Sequence, residues 1–431
     1  MTWPDSVSSK NFCAMSKPLK PQIRFKGYDD EWQLKSLGDV CHSFKYGLNA
    51  AATTYDGKHK YLRITDIDDD NNTFNKGDLT SPNITCFTDE YKLSVKDIVF
   101  ARTGASVGKT YLYDANDGNV YWAGFLIKAS VNQNYDENFV FQNTLTNRYW
   151  RYIGIASQRS GQPGVNATEY GEFDFHIAPN INEQREIGEY FSNLDTQIKE
   201  AEREVDRLEK MKIASLQKMF PRPGATTPEI RFAGFSEPWK VCTFGDICSF
   251  SRGQGYTKSD LRKSGVPIFL YGRLYTSYSS YVKEVDTFSY MTSFAVMSKG
   301  SEVVMPSSGE TAADIAVASA ILSPGIILGG GLNILYPNKN MDSIFLALML
   351  TYGQPHYDVA NRAQGKSVVH IYNDDIKQTS LMYPSLDEQR AIGEYFRNLD
   401  ELIVAKRKSI VKLRNIKKAC LSKMFVNDTE L

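Results

Sequence analysis

Residues 102–110 read R-T-G-A-S-V-G-K-T, and from Gly104 they spell G-x-x-x-G-K-T. That is one residue short of the G-x-x-x-x-G-K-[ST] loop that wraps nucleotide phosphates. A phosphate loop presents its amides at a helix N-terminus, so a helix must come directly after the lysine. Lys109 leads instead into T-Y-L-Y-D, a β-branched and aromatic run that reads as a strand. The segment therefore reads as strand, glycine-containing turn, strand. G-G-G-L-N at 329–333 lacks the G-x-G-x-x-G spacing of a dinucleotide loop and leads into strand-like I-L-Y-P, so it reads as a tight turn. The acidic run Asp66-Ile67-Asp68-Asp69-Asp70-Asn71-Asn72 lacks the glycine and terminal glutamate of a calcium hand and reads as a solvated turn. No F-x-G-x-G, N-P-P-[FY], D-P-P-Y or H-E-x-x-H motif occurs. A nucleotide-hydrolysing enzyme would need Lys109 in a phosphate loop, and nothing in these motifs supports catalysis.

Composition narrows the classes further. The six cysteines (13, 41, 86, 242, 248 and 420) form no C-x-x-C pair, and the five histidines do not cluster beside them. This argues against a zinc site or disulfide framework and suits a reducing, cytoplasmic setting. Lysine plus arginine equals aspartate plus glutamate, 50 against 50, so any DNA binding must rest on local patches or a basic partner. Mean hydropathy is −0.38. No apolar run is long enough to cross a membrane, and the N-terminus has no apolar signal core. Residues 1–14 precede a second methionine, Met15, and carry no pattern, so a disordered extension or start-site artefact is expected there.

The elements that would position any site come in duplicate. P-Q-I-R-F-K-G-Y-D-D-E-W-Q-L-K-S-L-G-D-V-C at 21–41 matches 228–248 at nine of 21 positions, and N-E-Q-R-E-I-G-E-Y-F-S-N-L-D-T-Q-I at 182–198 matches 387–403 at 12 of 17. Both copies continue to K-M-F, at 218–220 and 423–425. The order is therefore module, helix, module, helix. Ile187, Phe191, Leu194, Ile198, Ala201, Val205 and Leu208 alternate steps of four and three. Ile392, Phe396, Leu399, Ile403, Lys406, Ile410 and Leu413 form the matching seam. Asn182 and Asp387 are the expected N-caps. The first helix carries nine acidic and seven basic residues over 183–220, the second five and ten over 387–425. That asymmetry favours an antiparallel pair of the two. The modules look β-rich, with I-V-F-A-R, T-Y-L-Y-D, P-I-F-L-Y, E-V-V-M-P and I-I-L-G-G as strands and a helical stretch near 139–158 and near 343–363.

This architecture resembles the specificity subunits of type I restriction-modification systems. The likeness spans residues 18–425. It rests on P-N-I-N-E-Q-R-E-I and P-S-L-D-E-Q-R-A-I leading into the helices and on Gly38-Asp39-Val40 and Gly245-Asp246-Ile247. It also rests on D-I-V-F-A-R-T-G-A at 97–105, from which Met305-Pro306-Ser307-Ser308-Gly309 departs. The fold implied is α+β: two mixed α/β target-recognition domains joined by two long antiparallel coiled-coil helices, with a pseudo-twofold internal repeat. The expected division is an extension at 1–17, recognition domains at 18–181 and 228–386, helices at 182–220 and 387–425, a linker at 221–227 and a tail at 426–431.

The resemblance implies a non-catalytic chain in which each domain reads half of a split double-stranded DNA target. The helices, about 57 Å long at 38 residues, would set the spacing and dock two methyltransferase subunits, which restriction and translocation subunits join. S-adenosylmethionine, ATP and Mg2+ would belong to those partners. Loop residues suited to DNA contact are Lys58, Lys60, Arg63, Arg102, Ser106 and Lys109 in the first module. In the second they are Arg252, Gln254, Lys258, Arg273, Ser307 and Ser308, with Tyr271 and Tyr275 as aromatic contacts. The partner-docking residues expected on the helices are Gln184, Ile187, Tyr190, Phe191 and Leu194, then Gln389, Ile392, Tyr395, Phe396 and Leu399. The alternative is a coiled-coil adaptor or scaffold without sequence-specific DNA binding.

Overall fold

The computed structural model describes residues 20–159, 161–222, 224–365 and 368–426. The extension expected at 1–17 lies outside them, as does the tail after 426. The chain forms two compact units, residues 1–201 with 409–431 and residues 202–408, so each unit takes a piece of both long helices.

The first unit is framed by β1 (Gln33–Ser36), β2 (Cys41–Tyr46), β3 (Asp97–Ala101), β4 (Thr110–Leu112), β5 (Leu126–Val131) and β6 (Asp174–Ile177). Among the described residues β2, β5, β3 and β4 make an antiparallel sheet in that order, and β1 pairs with β6. The apolar run of β3 has no polar alternation because both its faces are covered. Ile98 and Phe100 join Trp32, Phe139 and Phe191 on one side, whereas Val99 and Ala101 join Trp122 and Leu126 on the other. The buried Asp97 that opens the strand accepts hydrogen bonds from Ser130 Oγ (2.6 Å) and Ser94 N (2.8 Å) and pairs with Lys128 Nζ (3.1 Å). A charge out of water needs that company.

The second unit repeats the frame with β7 (Lys240–Thr243), β8 (Cys248–Arg252), β9 (Tyr281–Val282), β10 (Glu302–Pro306), β11 (Ser319–Ile321), β12 (Leu332–Pro337) and β13 (Ser380–Tyr383). Its main sheet runs β8-β12-β10-β11-β9, and β7 pairs with β13. Val303 and Met305 of β10 face one apolar cluster and Val304 another. Glu302 takes the place of Asp97, accepting from the amides of Gly300 (2.9 Å) and Ser301 (3.1 Å).

The duplicated Gly-Asp pair has a local cause. Asp39 and Asp246 accept from the backbone amides of Ser36 (2.9 Å) and Thr243 (2.8 Å), closing a capping box on one helical turn. These hydrogen bonds hold both carboxyls below the usual aspartate range. A side chain at Gly38 or Gly245 would press on the carbonyl of Gly171 or Lys377.

The stretch expected as helical near 139–158 is two helices, Glu137–Asn143 and Asn147–Ala156, separated where Thr146 caps the second. Its counterpart divides into Ser343–Tyr352 and Gln354–Arg362, with Gly353 and Pro355 at the break.

The long helices run over Ile181–Lys218 and Leu386–Met424. Their caps lie two residues earlier than the sequence suggests. Asn180 Oδ1 accepts from Asn182 N (2.9 Å), and Ser385 Oγ from Glu388 N (3.4 Å). Within each unit the helices pair antiparallel. In the first unit Phe191, near the start of one, meets Phe425, just past the end of the other, at 5.6 Å between ring centroids, and Lys417 pairs with Asp195 at 2.6 Å. In the second, Phe220 meets Phe396 at 6.3 Å, Lys212 pairs with Asp400 at 2.5 Å, and Arg407 pairs with Glu209. The K-M-F ends thus enter the core of the other copy. Phe425 packs on Trp32 and Phe139, and Phe220 on Phe345 beside Trp239.

Candidate nucleic-acid interface

The first unit brings three chain segments together at the end of its sheet. Gly47 N, just past β2, donates to Leu126 O (3.1 Å), and Gly124 N donates to Leu48 O (2.7 Å). The chains approach so closely that a Cβ on Gly47 would overlap the Ala123 carbonyl. Arg102 leaves β3 here. Its amide donates to Phe125 O (3.0 Å), and its own carbonyl accepts from Val165 N (2.9 Å). Its guanidinium lies over the Tyr46 ring, 5.0 Å from the centroid, with a long contact to Gly124 O at 3.4 Å. Beside it opens a recess of about 350 Å³ lined by Tyr46, Leu48, Tyr61, Arg102, Gly124 and Phe125. Tyr46 and Phe125 are 44% and 61% exposed there.

The other basic residues expected in this module have partners or stand apart. The R-T-G-A-S-V-G-K-T segment is a short 3-10 turn at Gly104–Ser106 leading into β4, with Gly104 (φ 74°) and Gly108 (φ 88°) in the left-handed region. No helix opens after Lys109. Ser106 is half-buried, and its carbonyl accepts from Lys109 N (3.0 Å). Lys109 pairs with Asp69, Arg63 with Asp66 (2.8 Å), and Asp70 with Arg414 (3.2 Å). The acidic run is therefore a hub for cations of this unit. The run is a turn with Asp69 and Asp70 exposed, as expected, and three basic side chains converge on it. Lys60 Nζ donates to Asp117 O, and Lys58 is exposed.

The second unit builds the same corner. Gly253 N donates to Leu332 O (3.0 Å), Gly330 N to Gly255 O (2.7 Å), Ser307 N to Gly331 O (2.8 Å), and Ser307 O accepts from Ile371 N (3.1 Å). The triple glycine is the tight turn expected, forced by two crossing backbones and by Tyr271 lying against Gly331 (φ 81°). Arg252 at the end of β8 is exposed and lies over the Tyr372 ring at 5.3 Å, while Tyr372 stacks on His370. Tyr275 OH donates to Ser308 O (2.8 Å), and its ring meets Tyr271 edge-on. Arg273 pairs with Asp286, away from this cluster of contacts. Gln254 and Lys258 are exposed and Ser308 is half-buried. Sequence reasoning missed Tyr46, Phe125, His370 and Tyr372, since no local pattern marks them.

Eight of the ten helix residues expected to dock partners are buried, and Tyr190 and Tyr395 are half-buried. Ile187, Phe191, Leu194, Ile392, Phe396 and Leu399 are core residues, and Tyr190 and Tyr395 pack on Phe25 and Phe232. Gln184 donates to Ala178 O (2.7 Å) and accepts from Asp136 N (3.1 Å). Gln389 donates to Pro384 O (3.0 Å) and accepts from Asp342 N (2.9 Å). These side chains fasten each helix to its own module.

Burial pushes the thiols of Cys41 and Cys248 up to about 12 and that of Cys242 to about 11, which leaves them protonated and poor ligands. Among the described residues no three His, Cys, Asp or Glu side chains gather as a metal-binding group. None of the described helices is long and apolar enough to cross a membrane.

Residues 29–210 and 236–414 match the family described as Type I restriction modification DNA specificity domain. A Methanocaldococcus jannaschii protein assigned as the MjaX type I restriction enzyme specificity subunit is 23% identical over 419 residues, covering 91% of this chain and 92% of that one. The MjaVIII specificity subunit of the same organism is 17% identical over 407 residues, with 91% and 92% covered. The crystal structure of a type I restriction-modification S subunit from M. genitalium shares the fold, with a TM-score of 0.63 at 16% identity, over 95% of this chain and all of that one. With two copies of the domain filling most of its length and a module-helix repeat to match, the chain belongs to the type I restriction-modification DNA specificity family, as a non-catalytic subunit for sequence-specific DNA recognition.

Proposed function

We propose that each unit reads one half of a split, asymmetric double-stranded DNA target. The two long helices, shared between the units, set the distance between the halves and carry two methyltransferase subunits, which restriction subunits join in the cytoplasm. S-adenosylmethionine, ATP and Mg2+ act on those partners. The observation that supports this most is the duplicated corner: both units build it with matching backbone hydrogen bonds at Gly47/Gly253, Arg102/Ser307 and Val165/Ile371, yet fill it with different side chains. Two readers of two different half-sites need that combination of a common scaffold and divergent readout.

The test uses the complex with its methyltransferase subunits on a randomised duplex library. The methylated sequences should form one split motif. Replacing residues 41–177 by the matching segment of another family member should change one half of the motif and leave the other half alone. Methylation indifferent to that exchange overturns the proposal.

A further inference from the structure

The backbone hydrogen bonds of the two corners define equivalent positions. Gly47 corresponds to Gly253, Arg102 to Ser307, Phe125 to Gly331 and Val165 to Ile371. Three side chains therefore occupy matching places: Tyr46, Arg102 and Asn166 in the first unit, and Arg252, Ser307 and Tyr372 in the second. Asn166 and Tyr372 each stand at the N-cap of a short helix, Ala167–Gly171 and Asn373–Lys377. Each corner has one arginine lying on one half-exposed tyrosine, but the arginine stands on a different strand in each. In the first unit it comes just after β3 and lies on the tyrosine that ends β2; in the second it ends β8 and lies on the helix-capping tyrosine.

These two arginines differ from their basic neighbours. Arg63, Lys109 and Arg273 are tied to carboxylates, whereas among the described residues neither Arg102 nor Arg252 has a carboxylate at ion-pair distance. Asp374, which feels the charge of Arg252, is itself held by Lys377 at 2.7 Å. A guanidinium resting on an aromatic ring holds its fork of N–H donors in the plane, and on Arg102 only Nη1 has a partner among the described residues, the long contact to Gly124 O. That fork matches guanine O6 and N7 in the major groove. The exposed Phe125 ring and a recess lined by no charged residue other than Arg102 make a surround that suits a base edge better than a phosphate.

We infer that Arg102 and Arg252 are the guanine-reading residues of the two half-sites, each positioned by its tyrosine. This rests on the proposal of a split target and names the residues that would carry it. The probe is the same randomised duplex library, methylated by the complex built with wild-type chain, R102A, R102K, R252A, R252K, Y46A or Y372A. Wild type should give one split motif; the absence of any motif overturns the split-target reading itself. R102A should relax one base pair of one half-site and R252A one base pair of the other, each by roughly tenfold or more in discrimination. The lysine variants keep the charge but not the fork, so they should relax the same base pairs, and Y46A and Y372A should do so more weakly. A uniform weakening with an unchanged motif, or full discrimination in the lysine variants, assigns these residues to phosphate and overturns the inference.

Discussion

Glu183 and Glu388, the acidic residues of the two E-Q pairs, are held by bidentate arginines. Arg24 reaches Glu183 at 2.6 and 2.8 Å, and Arg231 reaches Glu388 at 2.8 and 2.6 Å. The glutamate side chains are 0% and 2% exposed, so neither survives comfortably without its partner. R231A should destabilise the second unit by about 3–5 kcal/mol, because it strands a buried carboxylate. The double variant R231M/E388L should recover most of that loss, as measured by urea unfolding; equal stability of R231A and wild type contradicts the account. The two repeats displayed both partners, Arg24/Arg231 and Glu183/Glu388, at corresponding positions. They could not display the direction these residues face. A glutamate and glutamine in the first turn of an amphipathic helix look like an exposed face, and only the module packed against that turn turns them inward. The corner residues Tyr46 and Tyr372 were hidden for a related reason. They lie far from Arg102 and Arg252 in sequence, and only the crossing strands bring them together.

Among the elements, the long helices were the most legible, since a heptad seam with a cap signal has few other readings. Both Asn180 and Asn182 are good caps by residue type, and the backbone chooses the earlier one. The strands of the modules were legible as short apolar runs, but their sheet order was not, because it depends on pairing across many residues. The K-M-F repeats were visible as markers of equivalence without showing which core they enter. Since Phe425 packs on Trp32 and Phe139, F425A should loosen the first unit by about 3–5 kcal/mol. Hydrogen exchange of the β3 amides should accelerate accordingly while that of the β10 amides stays as in wild type. The reverse pattern would mean that the helix ends serve their own modules.

For the molecule as a whole, charge is balanced and part of the positive charge is already engaged internally, at Arg63, Lys109, Arg273, Lys212, Arg407 and Lys417. With no net positive charge, the chain has little long-range attraction for DNA phosphates. The chain alone should therefore bind a random duplex weakly, with a log–log salt dependence shallower than about −3, as each phosphate contact contributes roughly −0.9. Fluorescence anisotropy between low and moderate salt measures this directly, and a steep slope would reveal a basic face that the ion pairs leave open. The duplication made two units legible from the sequence. That each unit borrows the far end of the other's helix was not, because a repeat records likeness and not contact.

That borrowing bears on how the protein is made. The first module lacks Met424 and Phe425 until the second long helix has been translated, and it lacks their lid over Trp32 and Phe139 for the same interval. At about 5–20 residues per second, roughly ten to fifty seconds separate the emergence of Phe191 from that of Phe425. The second module meets Ile392 and Phe396 soon after its own last strand, β13, leaves the ribosome. The half of the chain synthesised first is thus the last to close, and a nascent apolar face waits open in the meantime for a segment not yet translated.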